Sequence, residues 1–242
     1  MKQRHTRTSG YSLVELMVGT LIFTIITGAV FGLLTSAQMQ YQGENGLSTI
    51  FQQANVAIDQ IVRDVHSAGY PPRSSFAAAV ATNHPENYAC VFAWSPRYPD
   101  PVNFCGSQTA CVVGATCAAP SDSELIMEAD MGTGNGVQWI RYSLQGTTLM
   151  RGVTPKAPNA DPVASTNGQL VPYLENVQNG PVAVFTYCYG SGCSDTVTAH
   201  QPSNIREVNI TLMLRSTKVD PETRQYRTIT VTGQAVRFNP NT

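Results

Sequence analysis

The chain has 242 residues, of which 42% are apolar and 13% charged, with a formal net charge of −1. A soluble domain usually carries about twice that charged share, so long neutral stretches must exist. No basic surplus points to nucleic acid, and none is expected as a partner. The length suits one domain, or one domain with an appendage.

The charge is unevenly placed. Lys2, Arg4 and Arg7 fall within the first ten residues, with His5 beside them and no acid. Removing those three from the 15 basic residues leaves 12 against 16 acids, a net charge of −4 for residues 11–242. The basic leader, residues 1–10, is therefore separable from the rest. No charge occurs between Glu15 and Glu44, and Leu16–Leu34 is almost wholly apolar. As a helix that run is about 28 Å long, close to the hydrocarbon thickness of a bilayer. Basic residues before it and none soon after predict a cytoplasmic N-terminus and an external remainder. A cleaved secretory signal needs small residues just after the apolar run, and Ser36-Ala37-Gln38 fits that pattern poorly.

The helical pattern does not stop there. Leu47, Ile50, Phe51, Ala54, Ala57, Ile58, Ile61, Val62 and Val65 recur at spacings of three and four. Gln52, Gln53, Asn55, Asp59, Arg63 and Asp64 supply much of the opposite, polar face. Gly69 and then Pro71-Pro72 end the pattern. The spacing predicts one helix over 12–67, apolar all round in 11–36 and amphipathic in 37–70.

Residues 71–242 read as a β-rich head. Residues 73–122, rich in Ala, Pro, Ser and Cys, are expected to form an irregular lobe. Strands are predicted at Glu124–Ala129, Val137–Leu144, Thr148–Val153, Val182–Tyr189, Arg206–Arg215 and Tyr226–Phe238, with Gln145-Gly146 as a hairpin turn. Val137, Trp139 and Arg141 are placed on one face of their strand. Residues 154–168 are expected to be loop. The fold class is α+β, a long N-terminal helix packed on an antiparallel sheet.

Cys90, Cys105, Cys111, Cys117, Cys188 and Cys193 make an even set without a CxxC spacing. Disulfides in an oxidising compartment suit them better than a zinc site. Cys188 and Cys193 bracket a short glycine-containing turn that suits a small loop; the other pairings stay open. His5, His66, His84 and His200 are scattered, and no catalytic, metal or phosphate-binding motif occurs, so neither an enzyme nor a cofactor is expected. Asp161, Asp195, Asp220 and Glu222 lack the spacing of a calcium loop and read as solvated loop acids. Gly28 and Gly32 form a GxxxG, which fits close helix packing and chance composition equally.

The stretch Thr8-Ser9-Gly10-Tyr11-Ser12-Leu13-Val14-Glu15-Leu16-Met17-Val18 resembles the prepilin cleavage and methylation motif. Tyr11 stands where that family usually has Phe. The resemblance implies cutting between Gly10 and Tyr11 by prepilin peptidase, a membrane aspartic peptidase, and N-methylation of Tyr11. It also implies that Glu15 pairs with the free amine of a neighbouring subunit's first residue. Taken alone, Ser12-x-x-Glu15 fits a capping box as well, and the helix dipole favours an acid there. Val137–Leu144 with Gly146 and Leu149-Met150-Arg151, and the segments Val208–Arg215 and Gln225–Phe238, resemble PilW-type minor pilins and the J pseudopilin of type II secretion. The resemblance implies a minor type IV pilin acting in pilus assembly near the tip. Its partners would be other pilins, met through the N-terminal helix, first in the inner membrane with the head in the periplasm and then in the filament at the cell surface. A J-like or DNA-uptake pseudopilin shares the architecture. A signal-anchored periplasmic enzyme is the reading of a different class.

Overall fold

Helix α1 runs unbroken from Leu13 to Ser67 in a computed structural model that describes residues 10–96, 105, 111–158, 160–189, 200–220 and 223–239. The leader, residues 1–9, lies outside the described residues. The helix is 55 residues long and continues through Gly28 and Gly32. Its halves behave differently. Up to Thr49 nearly every residue is exposed, whereas Ile50, Ala54, Ala57, Ile58, Ile61 and Val65 are buried. Gly69 ends the helix with φ +80°, and its N–H donates to the Glu128 carbonyl at 2.8 Å. The Asn239 amide donates to the Ala68 carbonyl at 2.7 Å, so the end of the chain caps the last turn.

The head holds two antiparallel sheets. β1 (Glu124–Asp130), β2 (Val137–Gln145), β3 (Thr148–Pro155) and β4 (Val171–Leu174) form the first in that order. β5 (Phe185–Cys188), β6 (Glu207–Val219) and β7 (Tyr226–Val236) form the second. Gly146 supplies the positive φ, 61°, that the two-residue β2–β3 turn needs at its first central position. The sheets are stitched together: Val177 N–H reaches the Thr147 carbonyl, Gln178 N–H that of Met213 and Arg215 N–H that of Asn176. Their joint inner face covers the second half of α1. Val208, Ile210, Leu212 and Leu214 of β6 are buried, and the residues between them are only half-buried. β7 comes so close to α1 that a Cβ at Gly233 would lie 2.2 Å from Ile58 Cγ2.

Three elements of the head differ from the sequence expectations. β2 is buried on both faces, because Ile140 and Tyr142 face α1 while Trp139 packs on Ala93 and Ala119 of the irregular lobe. The expected loop 154–168 holds helix α3 (Pro162–Thr166), after the short helix α2 (Ala78–Asn83) in the lobe. β4, outside the strands expected from the sequence, carries Pro172 and forms an edge, where proline is tolerated.

Candidate functional site

The N-terminal end of α1 carries the motif residues. Gly10 and Glu15 are exposed, and Tyr11 is 88% exposed. Ser12 is the N-cap, and its N–H donates to Glu15 Oε2 at 3.0 Å in a capping box. The Glu15 carboxylate thus sits at the positive end of the helix, open to a further partner. A Cβ added at Gly28 or Gly32 would meet nothing within 4 Å, so these glycines make no close packing contact among the described residues.

The segment beyond is built for an apolar solvent. It is long and apolar enough to cross a membrane, and none of its most apolar window is buried in the chain. Phe23 is 72% exposed, and Leu21, Ile25 and Phe31 are exposed as well. Its hydroxyls turn inward: Thr24, Thr27 and Thr35 donate to the Thr20, Phe23 and Phe31 carbonyls at 2.7, 2.7 and 2.8 Å. A hydroxyl satisfied this way does not need water, which lowers its penalty in hydrocarbon.

The second half of α1 is fastened to the head by a buried ion pair. Asp64 is 1% exposed, and its Oδ2 accepts from the Tyr142 hydroxyl at 2.6 Å and from Arg151 Nη2 at 2.9 Å. Gln60 Nε2 donates to Oδ1 at 2.7 Å. Asp64 therefore does not belong on the polar outer face where the sequence reading put it. Its place in the stripe, three residues after Ile61 and one before Val65, was the available signal. Burial, reinforced by the Asp64 charge, pushes the Tyr142 hydroxyl pKa far above its ordinary value.

Two further buried pairs fix the lobe and α3. Glu128 accepts from Lys156 Nζ at 2.6 Å, Trp139 Nε1 at 2.9 Å and Cys90 N–H at 2.8 Å. Arg141 meets Glu124 through Nε and Nη2, and its Nη1 donates to Asn167 Oδ1 and the Val163 carbonyl. Each charge is engaged in the packing of one layer on another, so these groups hold the head together.

Disulfides join Cys90 to Cys105 and Cys111 to Cys117, both in the irregular lobe. Cys188 is also disulfide-bonded; Cys193 lies outside the described residues. Two of the acids read as solvated, Asp161 and Asp220, have structural roles instead. Asp161 caps α3 through Ala164 N–H at 2.9 Å and accepts from Ser95 Oγ, while Asp220 is buried against Arg227. Asp195 and Glu222 lie outside the described residues. Among the described residues no group of three His, Cys, Asp or Glu is placed to hold a metal ion. His66 stacks on Phe238 and His200 on Tyr189, both as packing groups.

Comparisons with protein-family models, with curated proteins and with solved structures return no match to this chain. A long apolar N-terminal helix packed on antiparallel sheets is compatible with a pilin-like fold.

Proposed function

We propose that this chain is a type IV pilin-like subunit, a minor pilin that acts in pilus assembly near the filament tip. The observation that carries the reading is the division of α1. Its second half is locked into the head, while its first half continues the same rigid rod with an exposed apolar surface. A rod of that kind needs lipid or other apolar helices around it. The chain is held in the inner membrane by residues 11–36 with the head in the periplasm. It then moves into a filament core made of the same segment of its neighbours.

In this reading prepilin peptidase cuts after Gly10, and Tyr11 becomes the methylated first residue. Glu15 then leaves its capping bond for the free amine of an adjacent pilin. The exchange is easy because the carboxylate is exposed and, among the described residues, bonded to the Ser12 N–H of its own cap. Assembly is followed by blotting membrane and sheared-filament fractions. A bulky replacement at Gly10 leaves full-length precursor in the membrane. Glu15→Ala is cleaved normally and incorporated poorly. Mature-sized protein from the first variant, or normal incorporation of the second, contradicts the proposal.

A further inference from the structure

The outer edges of β1, β4 and β5 are covered or short. β1 is bonded to earlier parts of the chain, with Ala93 N–H donating to the Ile126 carbonyl at 3.1 Å and Asp130 N–H to that of Tyr70 at 2.9 Å. β4 and β5 have 4 residues each, and β4 carries Pro172. β7 is different. It is an edge strand of 11 residues, and Thr228–Val236 contains neither charge nor proline. Thr211 and Arg215 of β6 turn their N–H groups away from β7, to the Val184 and Asn176 carbonyls at 2.9 and 3.0 Å. Backbone direction alternates along a strand, so the residues between them bond to β7, as Leu212 does to Val231 opposite. Thr228, Thr230, Thr232, Gln234 and Val236 therefore aim their N–H and C=O groups outward. Among the described residues no backbone group bonds to them there, and their side chains are exposed.

This edge ends in uncompensated positive charge. Arg206 and Arg237 lie opposite each other one step past the last ladder pair, Glu207 and Val236, and Arg237 N–H donates to the Arg206 carbonyl at 3.1 Å. Like charges so placed repel. Burial and the neighbouring Arg206 charge both lower the Arg237 pKa. Arg237 Nη1 donates to the Ser203 carbonyl at 3.0 Å, and no carboxylate pairs with either arginine among the described residues.

A second copy of the chain does not suit the edge. β7 runs in the same direction as α1: Gly233 abuts Ile58, while the start of β7 lies with Lys218, whose Nζ is 3.3 Å from Gln42 Oε1. Two β7 edges paired antiparallel would point their apolar rods in opposite directions, which one membrane or one filament does not allow.

We propose that the β7 edge takes up an extended segment of another protein as an added antiparallel strand, whose acidic N-terminal end meets Arg237 and Arg206. Antiparallel pairing is the more stable kind, and it sets the N-terminal end of the added strand beside Arg237. The exclusion of a second copy rests on the membrane reading of α1.

The test uses the full chain in detergent micelles and a capped peptide of about nine residues, a pair of aspartates followed by alternating threonine and valine. Amide hydrogen exchange is resolved residue by residue. The outward N–H groups of Thr228, Thr230, Thr232 and Gln234 should exchange fast in the free chain and about tenfold or more slowly with the peptide bound. A peptide led by lysines in place of the aspartates should bind about tenfold more weakly, and Arg237→Gln should remove most of that difference. Thr232→Pro withdraws an outward N–H and leaves the bonds to β6 in place, so it should abolish the protection. The inward N–H of Val231 stays protected throughout and reports that the variant is folded. Absent protection, protection that survives in Thr232→Pro, or equal binding of the two peptides overturns the proposal. So does a peptide-free chain whose outward amides are already protected at the mass of a dimer, which makes a second copy the occupant. The membrane reading fails separately, on the N-terminus of the mature chain.

Discussion

Asp64 of the helix and Arg151 of β3 meet in the core, with 2.9 Å between Arg151 Nη2 and Asp64 Oδ2. Tyr142 of β2 bonds to both, its hydroxyl 2.9 Å from Arg151 Nε. Apolar packing alone would let a helix slide or rotate by a turn at modest expense. A buried carboxylate with three fixed donors allows one register only. Because this half of α1 is continuous with the apolar rod, the triad also sets how the head sits on that rod.

Removing Arg151 leaves Asp64 buried beside neutral groups. Arg151→Ala is expected to destabilise the head by about 3–5 kcal/mol, as loss of one partner of a buried pair does. Arg151→Lys should fall between, because one ammonium cannot serve both Asp64 and the Tyr142 hydroxyl in the planar geometry of the guanidinium. Urea unfolding of the detergent-solubilised chain, followed by tryptophan fluorescence, measures both. A loss below about 1 kcal/mol for Arg151→Ala would show that the triad is incidental.

Stability should fall at alkaline pH. Burial raises the Tyr142 hydroxyl, with the nearby Asp64 charge adding to it, and burial raises Tyr187 too. A folded-state pKa above the unfolded value of about 10 means that the contribution is complete below pH 10. It is lost progressively as pH rises beyond 10, because the unfolded chain releases protons that the folded chain retains. Unfolding midpoints between pH 8 and pH 11 check the sign. Tyr187→Phe should flatten the decline, and a midpoint that rises with pH would contradict it.

Gly233→Ala is predicted to separate α1 from β7. The new methyl would stand 2.2 Å from Ile58 Cγ2, a branched position with few rotamers in a helix. The change is expected to cost about 1–3 kcal/mol, and Ile58→Ala in the same chain should return part of it. Additive losses in the two variants would mean that the close approach is not what constrains this site.

Much of the helix was legible because two signals overlap in it, an uncharged run and a spacing of three and four. The alternation of Val208, Ile210, Leu212 and Leu214 likewise announced which face of β6 packs inward. The polarity of Asp64 suggests exposure, but its position in the apolar stripe outweighs its charge because Arg151 and Tyr142 are there to meet it. α3 was missed although Asp161-Pro162 is a strong start signal, an N-cap followed by a proline at the first helical position. The burial of Trp139 depends on an irregular lobe whose placement no periodicity encodes. At Glu15 the spacing Ser12-x-x-Glu15 carries the local signal, and the capping box it spells is formed.

The central claim is that the apolar rod is kept after processing and begins at the end of the leader. Intact mass and N-terminal sequencing of the mature chain, purified from sheared filaments or from membranes, test it most directly. The account predicts a chain that starts at Tyr11 with one added methyl on its amine. A mature chain that starts near residue 38 would mean that the rod is a discarded export signal, and the account would be wrong.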